Sequence, residues 1–275
     1  MSLIQMDFSS TALQRFTTME VFLPDCKVPE NGFRSLYFLH GYHGNHTDLL
    51  RRLNLLAYAE QHDIAIFMPD GDNAYYADFP ERAEYYHQYI GEELVQMTRR
   101  TFPLSTRRED TYLAGISMGG GGALRLGFSY AGTFSKVASL SGYLVENEAF
   151  DPVGHGTNVF KALDDVLMAR SASMFSFGFP GSSLVDLPLI YLTIGADDGL
   201  RESNRQLSRM FSMYEIPHIY QEFAGEHNWS FWNARLENLF DFLNADPLDV
   251  MQDWNRQRSQ SEKASGIGSS EGGEA

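Results

Sequence analysis

At 275 residues, 43% of them hydrophobic, the chain is long enough to bury a sizeable core, as one α/β domain with insertions or as two small ones. Its formal net charge of -15 argues against nucleic acid, anionic membrane surfaces and highly anionic substrates, all of which call for a basic face. The single cysteine, Cys26, excludes an intrachain disulfide framework and fits a reducing compartment.

The amino terminus, from Met1 to Phe8, lacks a basic stretch followed by a long apolar one. No apolar run reaches membrane-spanning length, so a soluble cytoplasmic protein is expected. A first strand is expected over 14–23, ending at Pro24, and a buried strand over 35–39 after the turn Pro29-Glu30-Asn31-Gly32. That strand runs into His40-Gly41-Tyr42-His43-Gly44-Asn45. His40, His43 and His46 invite a metal reading, but a glycine-broken loop without Cys or a helical His-Glu pair is a poor frame for ligands. Neither a metal nor another cofactor is expected.

Apolar spacing predicts a helix over 48–61 capped by Thr47, then a buried strand over 64–68 that ends in the turn Pro69-Asp70-Gly71-Asp72-Asn73. A helix is expected over 81–102. The aromatics before it, Tyr75, Tyr76 and Phe79, follow the carboxyl end of a strand, where sites of open α/β sheets gather, and are candidate pocket lining.

The run Tyr112-Leu113-Ala114-Gly115-Ile116-Ser117-Met118-Gly119-Gly120-Gly121-Gly122-Ala123-Leu124 has the strand, sharp turn and helix layout of a nucleophile elbow. Ser117 is the candidate nucleophile. Gly115 and Gly119 make room for a strained turn, and Gly120 to Gly122, each costing a helix about 1 kcal/mol relative to Ala, imply close packing of the helix start. Acyl transfer needs donors aimed at the oxygen that becomes negative. With this elbow they are the N–H after the nucleophile and one from the earlier glycine loop, here Met118 and Tyr42. His40 is expected to anchor that loop through its side chain.

A strand over 136–140 follows. Residues 142–187, rich in Gly, Pro, Phe and Met around a predicted helix over 158–170, read as an insertion covering the site, a partial lid or acyl-pocket wall, with an ordinary helix packed on the sheet as the alternative. After a strand over 188–194 come Gly195-Ala196-Asp197-Asp198-Gly199, a helix over 201–214, a strand over 218–223, the loop Gly225-Glu226-His227-Asn228 and a last helix through Trp229 and Phe242. Trp229, beside that loop, joins the candidate pocket residues. From 256 the composition cannot bury a core and predicts a disordered tail, leaving residues 1–255 as the domain.

A serine hydroxyl needs an imidazole to take its proton and a carboxylate to orient that imidazole. The order expected with this elbow is Ser, acid, His, on loops after later strands. His227 fits, whereas His218 lies inside a strand. Adjacent Asp197 and Asp198 point in opposite directions, and spacing does not choose between them.

Taken together, His40-Gly41, Gly-Ile-Ser-Met-Gly-Gly, the segment from Phe134 to Gly142, Gly-Ala-Asp-Asp and Gly-Glu-His-Asn-Trp-Ser-Phe-Trp resemble the esterase D group of α/β-hydrolases, nearest to tributyrin and acetyl esterases. The resemblance covers about residues 15–243. It implies the α/β-hydrolase fold, a mostly parallel sheet flanked by helices, with Asp198 as acid and His227 as base. S-formylglutathione hydrolases usually carry His just before and soon after the nucleophile, where this chain has Ile116 and Gly121. The expected activity is hydrolysis of neutral esters of acetyl to butyryl groups, acetylated carbohydrates among the candidates, through an acyl-enzyme. Thioester hydrolysis and acyl transfer use the same triad, and a non-catalytic binding module is the alternative of another class. The expected partner is a small-molecule ester, and apolar loops on an acidic chain leave room for a homo-oligomer.

Overall fold

The computed structural model describes residues 1–144 and 187–264 and, between them, the helical positions 159, 161–163 and 165. A hairpin opens the chain: β1 (Ser2–Ser10) pairs antiparallel with β2 (Arg15–Leu23). There follow β3 (Arg34–Leu39), the helices α1 (His46–Arg52) and α2 (Leu55–Gln61), and β4 (Ile64–Pro69). A small ribbon of β5 (Asp78–Phe79) and β6 (Glu84–Tyr85) leads into a helical run that ends with α3 (Val95–Thr101). Then come β7 (Thr111–Ile116), α4 (Met118–Ser129), β8 (Lys136–Leu140), β9 (Leu189–Gly195), α5 (Arg201–Met213) and β10 (His218–Phe223). The helices α6 (Trp229–Ala234), α7 (Leu236–Asn244) and α8 (Pro247–Ala264) complete the described chain.

The large sheet runs β1-β2-β4-β3-β7-β8-β9-β10. β2 meets β4 antiparallel, and every pairing from β4 to β10 is parallel. Such strands are buried on both faces, so they read as unbroken apolar runs and their alternate side chains supply two separate cores. In β3, Tyr37 and Leu39 join a cluster with Tyr89, Leu124 and Phe211 on one face, while Leu36 and Phe38 join Leu49, Leu55 and Phe240 on the other. The parallel strands end in register: Leu39 beside Gly115, Ile116 beside Leu140, Gly195 beside Phe223. The loops after β3, β7, β8, β9 and β10 therefore emerge along one edge of the sheet, where an open α/β fold builds its site.

Four expectations change. The helix over 48–61 is two, because Leu53 turns extended to enter the core and the Asn54 N–H is taken by Asn233 Oδ1 at 2.7 Å. Its cap is Asn45, not Thr47: the Asn45 side chain accepts the Thr47 N–H at 2.9 Å while Asp48 accepts the Asn45 N–H at 3.1 Å. The helix over 81–102 starts only at Tyr86, after the β5–β6 ribbon and a left-handed Ala83, and passes through a π-helical turn, Tyr89–Leu94. The last helix is broken at Arg235.

Part of the expected tail from 256 is helical, since α8 continues to Ala264; its Val250 and Trp254 are buried and its Gln257 accepts the Tyr220 N–H of edge strand β10 at 3.4 Å. Residues 265–275 and most of the expected insertion over 142–187 lie outside the described residues.

Candidate active site

The turn between β7 and α4 is as cramped as its glycines imply. Ser117 sits at φ 53° and ψ -119°, a conformation that costs a residue with a Cβ about 1–3 kcal/mol. Backbone bonds hold it there: its N–H donates to Leu140 O at 3.0 Å, and its carbonyl accepts from Gly120, Gly121 and Tyr143. A Cβ on Gly115 would lie 2.3 Å from Gly119 O, and one on Gly119 2.3 Å from Leu39 O. Glycine is thus the residue that lets β3, β7 and α4 meet behind the serine.

Two loops from the far half of the chain close on this turn. The Ala196 N–H donates to Phe223 O at 2.7 Å and the Asp197 N–H to Gly225 O at 2.9 Å, so the loops after β9 and β10 are stitched together. The stitching turns Asp197 to solvent and buries Asp198. His227 Nδ1–H donates to Asp198 Oδ2 at 2.9 Å, and the Ser117 hydroxyl donates to His227 Nε2 at 2.9 Å. Burial alone would raise the Asp198 carboxyl, but the bonds from His227 and from the Leu200 N–H, 2.9 Å from Oδ1, outweigh it and hold the group below its ordinary value. Trp232 presses edge-on against the His227 ring, centroids 5.1 Å apart. A serine bonded to an imidazole that is oriented by an ionised, buried carboxylate is equipped for nucleophilic attack on an acyl carbon.

The loop after β3 lies against the serine: a Cβ on Gly41 would stand 3.3 Å from Ser117 Cβ. Met118 opens α4, so its N–H has no acceptor within the helix. His40 is fully buried; its Nε2 accepts the Gly71 N–H at 2.9 Å, which leaves the proton on Nδ1 to donate to Gly41 O at 2.8 Å. His46 Nδ1–H donates to Asp70 Oδ2 at 3.1 Å. Burial pushes the Asp70 carboxyl up, but the bonds from His46 and from the Asp72 N–H hold it below the usual carboxylate range. Among the described residues no three His, Cys, Asp or Glu side chains converge as metal ligands.

The candidate pocket residues divide. Tyr75 stays at the site, its ring 5.3 Å from Tyr42 and 5.6 Å from Tyr143. Tyr76 and Phe79 do not line a pocket: both are buried in the core, Tyr76 bonded to His40 O and Phe79 packed on Tyr86 beneath the Arg82 guanidinium. The apolar packing demand of the core takes these rings, whereas Tyr75 is only partly covered. Trp229 stands one ring away from His227, edge-on to Trp232 and capped by Arg52. The residue that sequence reasoning passed over is Tyr143, whose N–H supports the elbow and whose ring extends the tyrosine wall. Its position just past β8, at the same sheet edge, was the available signal.

Known proteins resemble this chain in sequence and in fold. The Esterase family model matches residues 10–175. An acetyl esterase of Caldicellulosiruptor saccharolyticus is 31% identical over 261 residues, 88% of this chain and 98% of that protein. Two structures from Staphylococcus aureus resemble it at 21% identity: the serine hydrolase FphF, with a TM-score of 0.76 over 89% of this chain and 99% of its own, and the S-formylglutathione hydrolase FrmB, with 0.74 over 88% and 98%. A ferulic acid esterase of Anaeromyces mucronatus follows at 18% identity and 0.63, covering 88% and 89%. At these identities the structural likenesses establish the fold, that of the α/β-hydrolases.

Proposed function

The chain belongs to the Esterase family and is a serine carboxylic ester hydrolase, and on that premise we propose that it cleaves neutral esters of short acyl groups, acetyl to butyryl, through an acyl-enzyme on Ser117. The observation that carries this reading is the unbroken hydrogen-bond chain from Ser117 through His227 to Asp198. His227 withdraws the hydroxyl proton as Ser117 attacks the ester carbonyl, and Asp198 holds the ring with its proton on Nδ1 and stabilises the imidazolium that forms. The Tyr42 and Met118 N–H groups receive the negative oxygen, each worth on the order of 3 kcal/mol to the transition state. His227 then gives its proton to the departing alcohol, and water repeats the sequence to free the acid.

The acetyl esterase likeness supports a small acyl group. The net charge of -15 supports a neutral ester over an anionic one. A panel of nitrophenyl esters of rising acyl length, with a thioester and an alcohol acceptor as further arms, tests the reading. Turnover is expected to be highest from acetyl to butyryl, and Ser117→Ala is expected to abolish both turnover and labelling by a fluorophosphonate probe. Preference for the thioester, or for transfer to the alcohol, would move the assignment to those chemistries; an unlabelled wild-type serine would point to a binding module.

A further inference from the structure

We propose that Tyr76 and His40 are positioning residues that together set the direction of the Tyr42 N–H in the oxyanion site; the inference deepens the esterase reading and rests on it. The loop leaving β3 passes through two successive peptides, and each carbonyl is tied down from inside the protein. Tyr76 Oη donates to His40 O at 2.9 Å. The His40 ring spans the next peptide, accepting the Gly71 N–H at Nε2 and donating from Nδ1 to Gly41 O at 2.8 Å. The Gly44 N–H reaches the same oxygen at 3.2 Å. In a trans peptide the N–H leaves opposite the C=O, so holding the Gly41 oxygen inward sends the Tyr42 N–H outward, from a peptide whose Gly41 packs against Ser117.

Tyr76 is built in for this contact. The side chain is fully buried, and its ring occupies space that a Cβ on Gly71 or Gly122 would invade, at 2.3 and 2.6 Å. Gly122 belongs to α4, so the nucleophile helix itself gives up a side chain to admit the ring. Tyr75 and Tyr76 both hold left-handed backbone, φ 52° and 54°, and the buried Arg125 of α4 donates to the carbonyls of both. Burial raises the Tyr76 hydroxyl well above its ordinary value, so it remains a donor across the working range. The loop that presents the oxyanion amide is thereby fastened to the helix that presents the serine, which keeps the two donors and the nucleophile in one rigid frame.

Tyr76→Phe keeps the ring and removes the donor. The expected result with nitrophenyl acetate is a fall in kcat of about tenfold or more with KM within about threefold, because a misdirected oxyanion donor is felt in the transition state more than in substrate binding. Tyr37→Phe is the control: an equally buried hydroxyl, 2.6 Å from Thr98 Oγ1 and away from the loop, whose loss should lower Tm comparably and leave kcat unchanged. His40→Asn retains a donor near the Nδ1 position and should keep more kcat than His40→Ala. A folded Tyr76→Phe with wild-type kcat, or equal kcat losses in Tyr76→Phe and Tyr37→Phe that follow Tm, would overturn the proposal. The underlying reading fails by a different result, an active Ser117→Ala variant.

Discussion

Replacing Asp198 by Asn tests the site at its least exposed member. The carboxylate uses both oxygens, Oδ1 for the Leu200 N–H and Oδ2 for His227 Nδ1–H, each at 2.9 Å. Asparagine has one oxygen. The Leu200 N–H is fixed by the backbone and needs an acceptor, so the amide oxygen goes there and the NH2 group faces His227. A donor opposite Nδ1 drives the ring proton to Nε2, where it blocks uptake of the Ser117 proton. The expected loss in kcat is about 10⁴-fold, equivalent to about 5 kcal/mol of transition-state stabilisation. Steady-state hydrolysis of nitrophenyl acetate reads it, with Tm as the check on folding. Asp197→Asn, at an exposed side chain pointing away, should behave as wild type. A well-folded Asp198→Asn enzyme within tenfold of wild-type kcat would refute the tautomer argument and the role of this carboxylate.

Gly119→Ala should cost about 3 kcal/mol or more in urea unfolding and reduce kcat with it, since the new Cβ meets the carbonyls of Leu39 and His40 at 2.3 and 2.6 Å; Gly199→Ala, with open space around it, should be neutral. Lys136 donates to the carbonyls of Phe242, Leu243 and Ala245 at the end of α7, so Lys136→Met should lose about 1–3 kcal/mol of stability by urea titration with kcat preserved. His87 is pulled down to about 4 by burial and by the Arg125 charge, from an ordinary 6.5. Between those values the unfolded chain takes up a proton that the folded one refuses, so stability is fully present above 6.5 and falls by up to about 3 kcal/mol as pH drops toward 4. His87→Gln should flatten that slope in urea titrations.

Much of the architecture could be read from local chemistry. The apolar runs at 35–39, 64–68, 136–140 and 188–194 became buried parallel strands because a strand covered on both faces has no polar side to show. β1 was equally legible in the alternation of Ile4, Met6 and Phe8 with Gln5, Asp7 and Ser9, a pattern passed over at the chain start. Helix ends were read less well. The break at Leu53 answers to a partner distant in sequence, Asn233, and the Asn45 cap competes with a neighbouring threonine of similar propensity.

The sequence alone determined the elbow, since Gly115, Ser117 and Gly119 meet their steric requirement within one turn, and it singled out His227 as the imidazole on a glycine-led loop past a strand. Residue spacing left open which of two adjacent aspartates faces that ring, where the esterase resemblance pointed to Asp198, and tertiary structure alone decided which of three aromatics reaches the site. Both choices depend on how strands far apart in the chain align and what packs above their ends: the β9 to β10 register with its loop bonds turns Asp198 inward, and the fit of Tyr76 between Gly71 and Gly122 draws it into the core while Tyr75 stays against Tyr42 and Tyr143.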